Sequence, residues 1–121
     1  MRSLLGCIAL AWPLACVAQT VTAPGFDSTS QVYRCAGGAT LPVVTLNIKG
    51  GESFAALLVD GTLVLLRGAP AASGARYVAV DEQLGYRWHV KGEQGVLLHL
   101  APDHTARETV VLHDCKAQWA Q

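Results

Sequence analysis

The stretch SFAALLVDGTLVLL, Ser53 to Leu66, decides the fold. Ser53 to Val59 and Thr62 to Leu66 are apolar runs that flank Asp60-Gly61, a dipeptide suited to a two-residue hairpin because both turn positions need positive φ. Two strands joined so tightly must be antiparallel. Working outward, Leu41 to Ile48 alternates Val44, Leu46 and Ile48 against Thr45 and Asn47, which is the period of a strand. Arg76 to Val80 sets Tyr77 and Ala79 against Val78 and Val80. The next run puts Tyr86, Trp88 and Val90 on one face and Arg87 and His89 on the other. Lys91-Gly92-Glu93-Gln94-Gly95 reads as the turn into Val96 to Leu100, and Thr109 to Cys115 closes the series. No helical segment competes with this pattern after the first residues. Seven or eight short strands in about ninety residues define an all-β domain, an antiparallel sandwich or a small barrel. Closure into a barrel is favoured, because it removes the sheet edges of a short chain.

The first residues are of another kind. Met1-Arg2 precedes an apolar run from Ser3 to Trp12, then Pro13, then the small residues Leu14 to Ala18. A basic start, an apolar segment too short to span a bilayer and a small-residue cleavage site make a secretory signal over residues 1–18. Cleavage after Cys16-Val17-Ala18 would give a soluble chain beginning at Gln19. The alternative treats Leu14-Ala15-Cys16 as a lipobox with Cys16 lipidated, although Pro13 stands where such boxes usually carry Leu. Leu4-Leu5-Gly6-Cys7 matches a lipobox by letters, but no apolar segment precedes it. The soluble periplasmic form is favoured, and either way the domain is exported. Residues 19–31 are rich in Thr, Ser, Ala, Gly and Pro and read as a flexible leader. The ordered domain is expected over 32–116, with a tail at 117–121.

Export governs the cysteines. Cys7 and Cys16 fall in the signal, leaving Cys35 and Cys115, which in an oxidising compartment form a disulfide. Closing a loop of roughly eighty residues stabilises a fold by about 4 kcal/mol in the chain-entropy model. No C-x-x-C pair suggests redox catalysis. Of nine basic residues one is Arg2, so the exported part carries eight against nine acidic ones. A near-neutral chain without a basic stripe argues against nucleic acid.

Catalytic and metal signals are weak. His89, His99, His104 and His113 show no ligand spacing with a carboxylate or thiol, so no metal is expected. Asp81-Glu82 reads as a solvated turn between strands. No nucleophile elbow or phosphate-binding loop is present, and no cofactor is implied. Ser73 with Lys91 could form a nucleophile–base dyad, but the lysine lies in a polar Gly-flanked turn where its amine should stay charged.

The same two residues carry a resemblance. Tyr33-Arg34-Cys35, the strand end Leu46-Asn47, Ser73-Gly74-Ala75-Arg76-Tyr77, Trp88-His89-Val90-Lys91-Gly92 and the closing Cys115 follow the order and spacing of the MliC/PliC family. The sequence resembles these bacterial periplasmic or outer-membrane-anchored inhibitors of c-type lysozyme over residues 32–116. The resemblance implies an eight-stranded antiparallel β-barrel, no enzymatic activity of its own, and c-type lysozyme as the partner. It further implies that Ser73 and Lys91 enter the lysozyme cleft. Gly74 and Gly92, lacking Cβ atoms, would let the backbone approach a narrow cleft, and Tyr77 would hold the loop's shape. Gly95 departs from the family, where a small alanine is more usual, and Pro42 suggests an edge position for its strand. The contrasting readings are a small exported barrel that binds a saccharide or apolar ligand inside, which needs aromatics lining an open interior, and a Ser-Lys hydrolase. Oligomeric state, monomer or weak dimer, is not written in the sequence.

Overall fold

The computed structural model describes residues 25–103 and 107–118. The signal segment with Cys7 and Cys16, His104, and residues 119–121 lie outside them. Eight strands follow one another as a closed antiparallel barrel in sequence order: β1 (Phe26–Arg34), β2 (Thr40–Ile48), β3 (Ser53–Val59), β4 (Thr62–Ala69), β5 (Ala75–Ala79), β6 (Tyr86–Lys91), β7 (Gln94–His99) and β8 (Thr109–Gln118). β8 closes on β1 through Arg34↔Lys116, Tyr33↔Ala117 and Val32↔Gln118. A single 3-10 turn, Ala36–Gly38, links β1 to β2. Among the described residues no helix is long and apolar enough to cross a membrane.

The β3–β4 hairpin forms as its sequence dictates. Val59 pairs with Thr62, and Asp60 (φ 47°) with Gly61 (φ 79°) supplies both positive torsions. Along β3 and β4 the inward residues Ala55, Leu57, Val59, Val64 and Leu66 are buried. They join Leu41, Val43, Leu97 and three aromatics, Tyr33, Tyr77 and Trp88, in one core. Trp88 is wholly enclosed, with the Tyr33 ring meeting its edge at a centroid distance of 4.9 Å. The Cys35–Cys115 disulfide is formed and buried at the seam between the first and last strands.

The structure corrects several sequence expectations. The leader expected over 19–31 is already a strand from Phe26, because residues 26–31 pair with Ile48 to Val43 through their backbone. Their side chains are mostly polar and exposed, so no apolar pattern announces them. At the other end β8 runs through Gln118 rather than ending at residue 116, and Ala117 packs on the core. In β2 the buried residues are Leu41 and Val43, while Val44 points out and is half exposed. The alternation Val44-Leu46-Ile48 thus identifies a strand but lies on its outer face. Pro42 is not on an edge strand, since β2 is flanked by β1 and β3; it sits one residue before the β2–β3 register begins at Val43↔Leu57.

Candidate functional site

In an up-and-down barrel alternate connections share an end. The β4–β5 loop, which carries Ser73 and Gly74, and the β6–β7 turn, which follows Lys91, are separated by two strands and therefore open on the same rim. The register makes this local. Ala75 pairs with Val90, so the next step outward sets Gly74 opposite Lys91. Gly74 has φ 68°, and a Cβ there would lie 3.2 Å from the Cα and Cβ of Lys91 and in hard overlap with the carbonyl oxygen of Val90. The glycine is therefore required by the barrel's own packing.

Lys91 itself is not in a five-residue turn. It ends β6, pairs with Gln94 and leaves Gly92-Glu93 as a two-residue connection. Gly92 carries the only positive φ of that pair (63°), which is the type II′ pattern. Nothing stands within 4 Å of a Cβ built at Gly92, so this glycine answers to torsion alone. Ser73, Gly74, Lys91 and Gly92 are all exposed. Ser73 and Lys91 line one shallow concavity of about 270 Å³ with His89, Gln94 and Asp114.

Tyr77, expected to hold the loop's shape, is buried. It pairs with Trp88 across β5 and β6 and reaches the rim only by anchoring the strand that the Ser73 loop feeds. Burial raises the Tyr77 phenol above the ordinary tyrosine range. Tyr33 is raised likewise, first by burial and then by its proximity to Tyr77, and its hydroxyl donates to Gln31 Oε1 at 3.0 Å. Gly95 fits under Trp88: a Cβ there would stand 2.5 Å from Cζ2 and 3.0 Å from Cζ3 of the indole. A side chain at this position would have to displace the indole.

Of the histidines, His99 meets the Tyr86 ring at 5.2 Å and His113 Nδ1 pairs with Asp114 Oδ2 at 2.9 Å. Among the described residues no group of three metal-ligating side chains comes together. Asp81 and Glu82 are exposed, and Asp81 Oδ1 accepts from the Gln83 amide, as a turn residue does. Arg76 and Arg87 share Oε1 of Glu108, each at 3.2 Å, so basic residues scattered in sequence meet around one carboxylate. Asp114 was not singled out by sequence reading; the signal that could have found it is an Asp interrupting the period-two pattern just before Cys115.

A filled eight-stranded barrel with a serine and a lysine raised on one rim is a scaffold that displays a contact surface. The family model for the membrane-bound lysozyme-inhibitor of c-type lysozyme matches residues 33–105, more than half of the 121-residue chain, and the chain belongs to that family. Two solved structures are similar. The periplasmic lysozyme inhibitor of C-type lysozyme from Salmonella typhimurium, PliC-St, is 20% identical, with a TM-score of 0.65 over 76% of this chain and 99% of that one. Pseudomonas aeruginosa MliC, crystallised in complex with hen egg white lysozyme, is 27% identical, with a TM-score of 0.59 over 78% of this chain and 86% of that one. No curated relative matches the sequence significantly.

Proposed function

We propose that this protein inhibits c-type lysozyme by lodging the Ser73 loop and the Lys91 strand end in the enzyme's active-site cleft. The observation that carries the reading is the contact between Gly74 and the Val90-Lys91 backbone, which presents two exposed polar side chains as one unit. Lysozyme is a retaining glycosidase whose two carboxyl groups stand about 5 Å apart across the scissile bond. An ammonium between them pairs with the ionised group, and a hydroxyl hydrogen-bonds the other in either protonation state. The match to Pseudomonas aeruginosa MliC, solved with hen egg white lysozyme, supports the partner.

The contrasting readings lose ground on specific features. Tyr33, Tyr77 and Trp88, the aromatics that an open saccharide or lipid chamber would display, are packed into the core. A Ser-Lys hydrolase needs a desolvated amine, whereas Lys91 is exposed. The exported chain would act in the periplasm, free or held to the outer membrane through a lipid on Cys16, and so protect the cell wall.

The test is a cell-lysis assay in which purified mature protein is added to a c-type lysozyme. Wild type should suppress lysis. Lys91→Ala should lose about 2–5 kcal/mol of affinity, partly because a desolvated carboxylate loses its partner, and Ser73→Ala about 1 kcal/mol. Undiminished lysis at micromolar excess of wild type would reject the reading; full inhibition by Lys91→Ala would reject the role given to that residue.

A further inference from the structure

We propose that Asp114, on the wall just below this rim and in the same concavity as Ser73 and Lys91, is a third contact residue, placed to meet a basic side chain at the lip of the lysozyme cleft, so that it selects for lysozymes with such a lip; this rests on the inhibitory reading above. Asp114 lies on the outer wall below the rim, at the level of Val96 and His89, and is turned toward the concavity by an irregularity in the barrel. The β7–β8 register passes from Gly95↔Cys115 to Leu97↔Leu112, so Val96 alone faces His113 and Asp114 together. That extra residue is a β-bulge, a device that bends the strand and re-aims a side chain. Asp114 holds φ 50°, a left-handed torsion uncommon for residues other than glycine, though Asp is among those that adopt it most readily. The next residue, Cys115, is buried and tied to Cys35, which fixes the base of the bulge.

The carboxylate so placed serves the interior in no way. The side chain is 79% exposed and pairs through Oδ2 with the equally outward His113. It lines the same concavity as Ser73 and Lys91. A cleft that accepts the Lys91 ammonium between its acids would repel a second carboxylate brought within a Debye length of about 8–10 Å. Asp114 is therefore complementary to the cleft only if a cation flanks those acids. Peptidoglycan carries carboxylates on its peptide stems, so basic groups beside the catalytic acids suit an enzyme that binds it. The rim and the wall beneath it then present a cation, a hydroxyl and an anion around one concavity, a pattern that sets orientation as well as attraction.

The experiment compares inhibition constants of wild type, Asp114→Asn, Asp114→Gly and Lys91→Ala against a c-type lysozyme, at about 10 mM and about 150 mM salt, with melting temperatures alongside. Asn keeps the size and tolerates the left-handed torsion, and Gly relieves that torsion. Both Asp114 variants should inhibit about tenfold less well at low salt, the gap should narrow at high salt, and neither should melt lower. Three results would overturn the proposal: Asp114→Asn that inhibits as well as wild type or better while Lys91→Ala is impaired, a loss confined to Asp114→Gly, or a deficit that tracks a lowered melting temperature. In each of these the inhibitory reading stands. Wild type that fails to inhibit overturns both.

Discussion

Gly74 and Lys91 face each other at the end of the β5–β6 ladder, closely enough that a methyl group on the glycine would lie 3.2 Å from the lysine Cα. This fit makes the Ser73 loop and the end of β6 a single body. A lysine on a free turn would lose rotational and backbone freedom on entering a cleft, and here part of that ordering is done before the partner arrives.

Alanine should therefore act very differently at the two rim glycines. At Gly74 it meets both a positive φ and the Val90 carbonyl, so destabilisation of about 2–4 kcal/mol and loss of inhibition are expected together. At Gly92 only the torsion opposes it, so about 1–2 kcal/mol should be lost and most inhibition kept. Denaturant melts paired with inhibition titrations check this; equal behaviour of the two variants would contradict the packing argument.

Gly95→Ala should disturb the core rather than the rim. Its methyl group overlaps the Trp88 indole, and a filled interior has no room to take up the shift. Destabilisation of about 1–3 kcal/mol is expected, with a change in near-ultraviolet circular dichroism from the displaced indole. An unchanged aromatic spectrum would show that the methyl group is accommodated without displacing the tryptophan.

Removing the Cys35–Cys115 bond should reveal how far the barrel depends on it. The bond joins positions 80 residues apart, which corresponds to about 4 kcal/mol in the chain-entropy model. Melting of the reduced protein, or of a Cys35→Ser/Cys115→Ser double variant, should fall by well over 10 °C. A shift of only a few degrees would mean that the β1–β8 pairing closes the barrel by itself.

Alkaline pH should weaken the fold through two buried phenols. Tyr33 and Tyr77 are raised above the unfolded value of about 10. The folded state thus holds their protons more tightly than the unfolded state does. Their contribution is complete below about pH 10 and is lost as pH rises through the folded-state values. Denaturant melts across that range should show stability falling above about pH 10, and Tyr77→Phe should flatten the decline. An identical decline in the phenylalanine variant would assign the effect to other groups.

The sequence by itself determined seven of the eight strands, the tight turn at Asp60-Gly61 and the single disulfide, because each rests on local rules: a two-residue period, turn torsions and cysteine number. Local rules could not locate the start of β1 at Phe26, whose partners lie about twenty residues away on β2, nor show that Val44 faces outward once Leu41 and Val43 have filled the interior. Tertiary structure alone decided that Gly74 abuts Lys91, that Gly95 lies under Trp88 and that a bulge brings Asp114 into the concavity below the rim. Each of these depends on the register between strands, and register is set by how the whole barrel closes and packs rather than by any one segment.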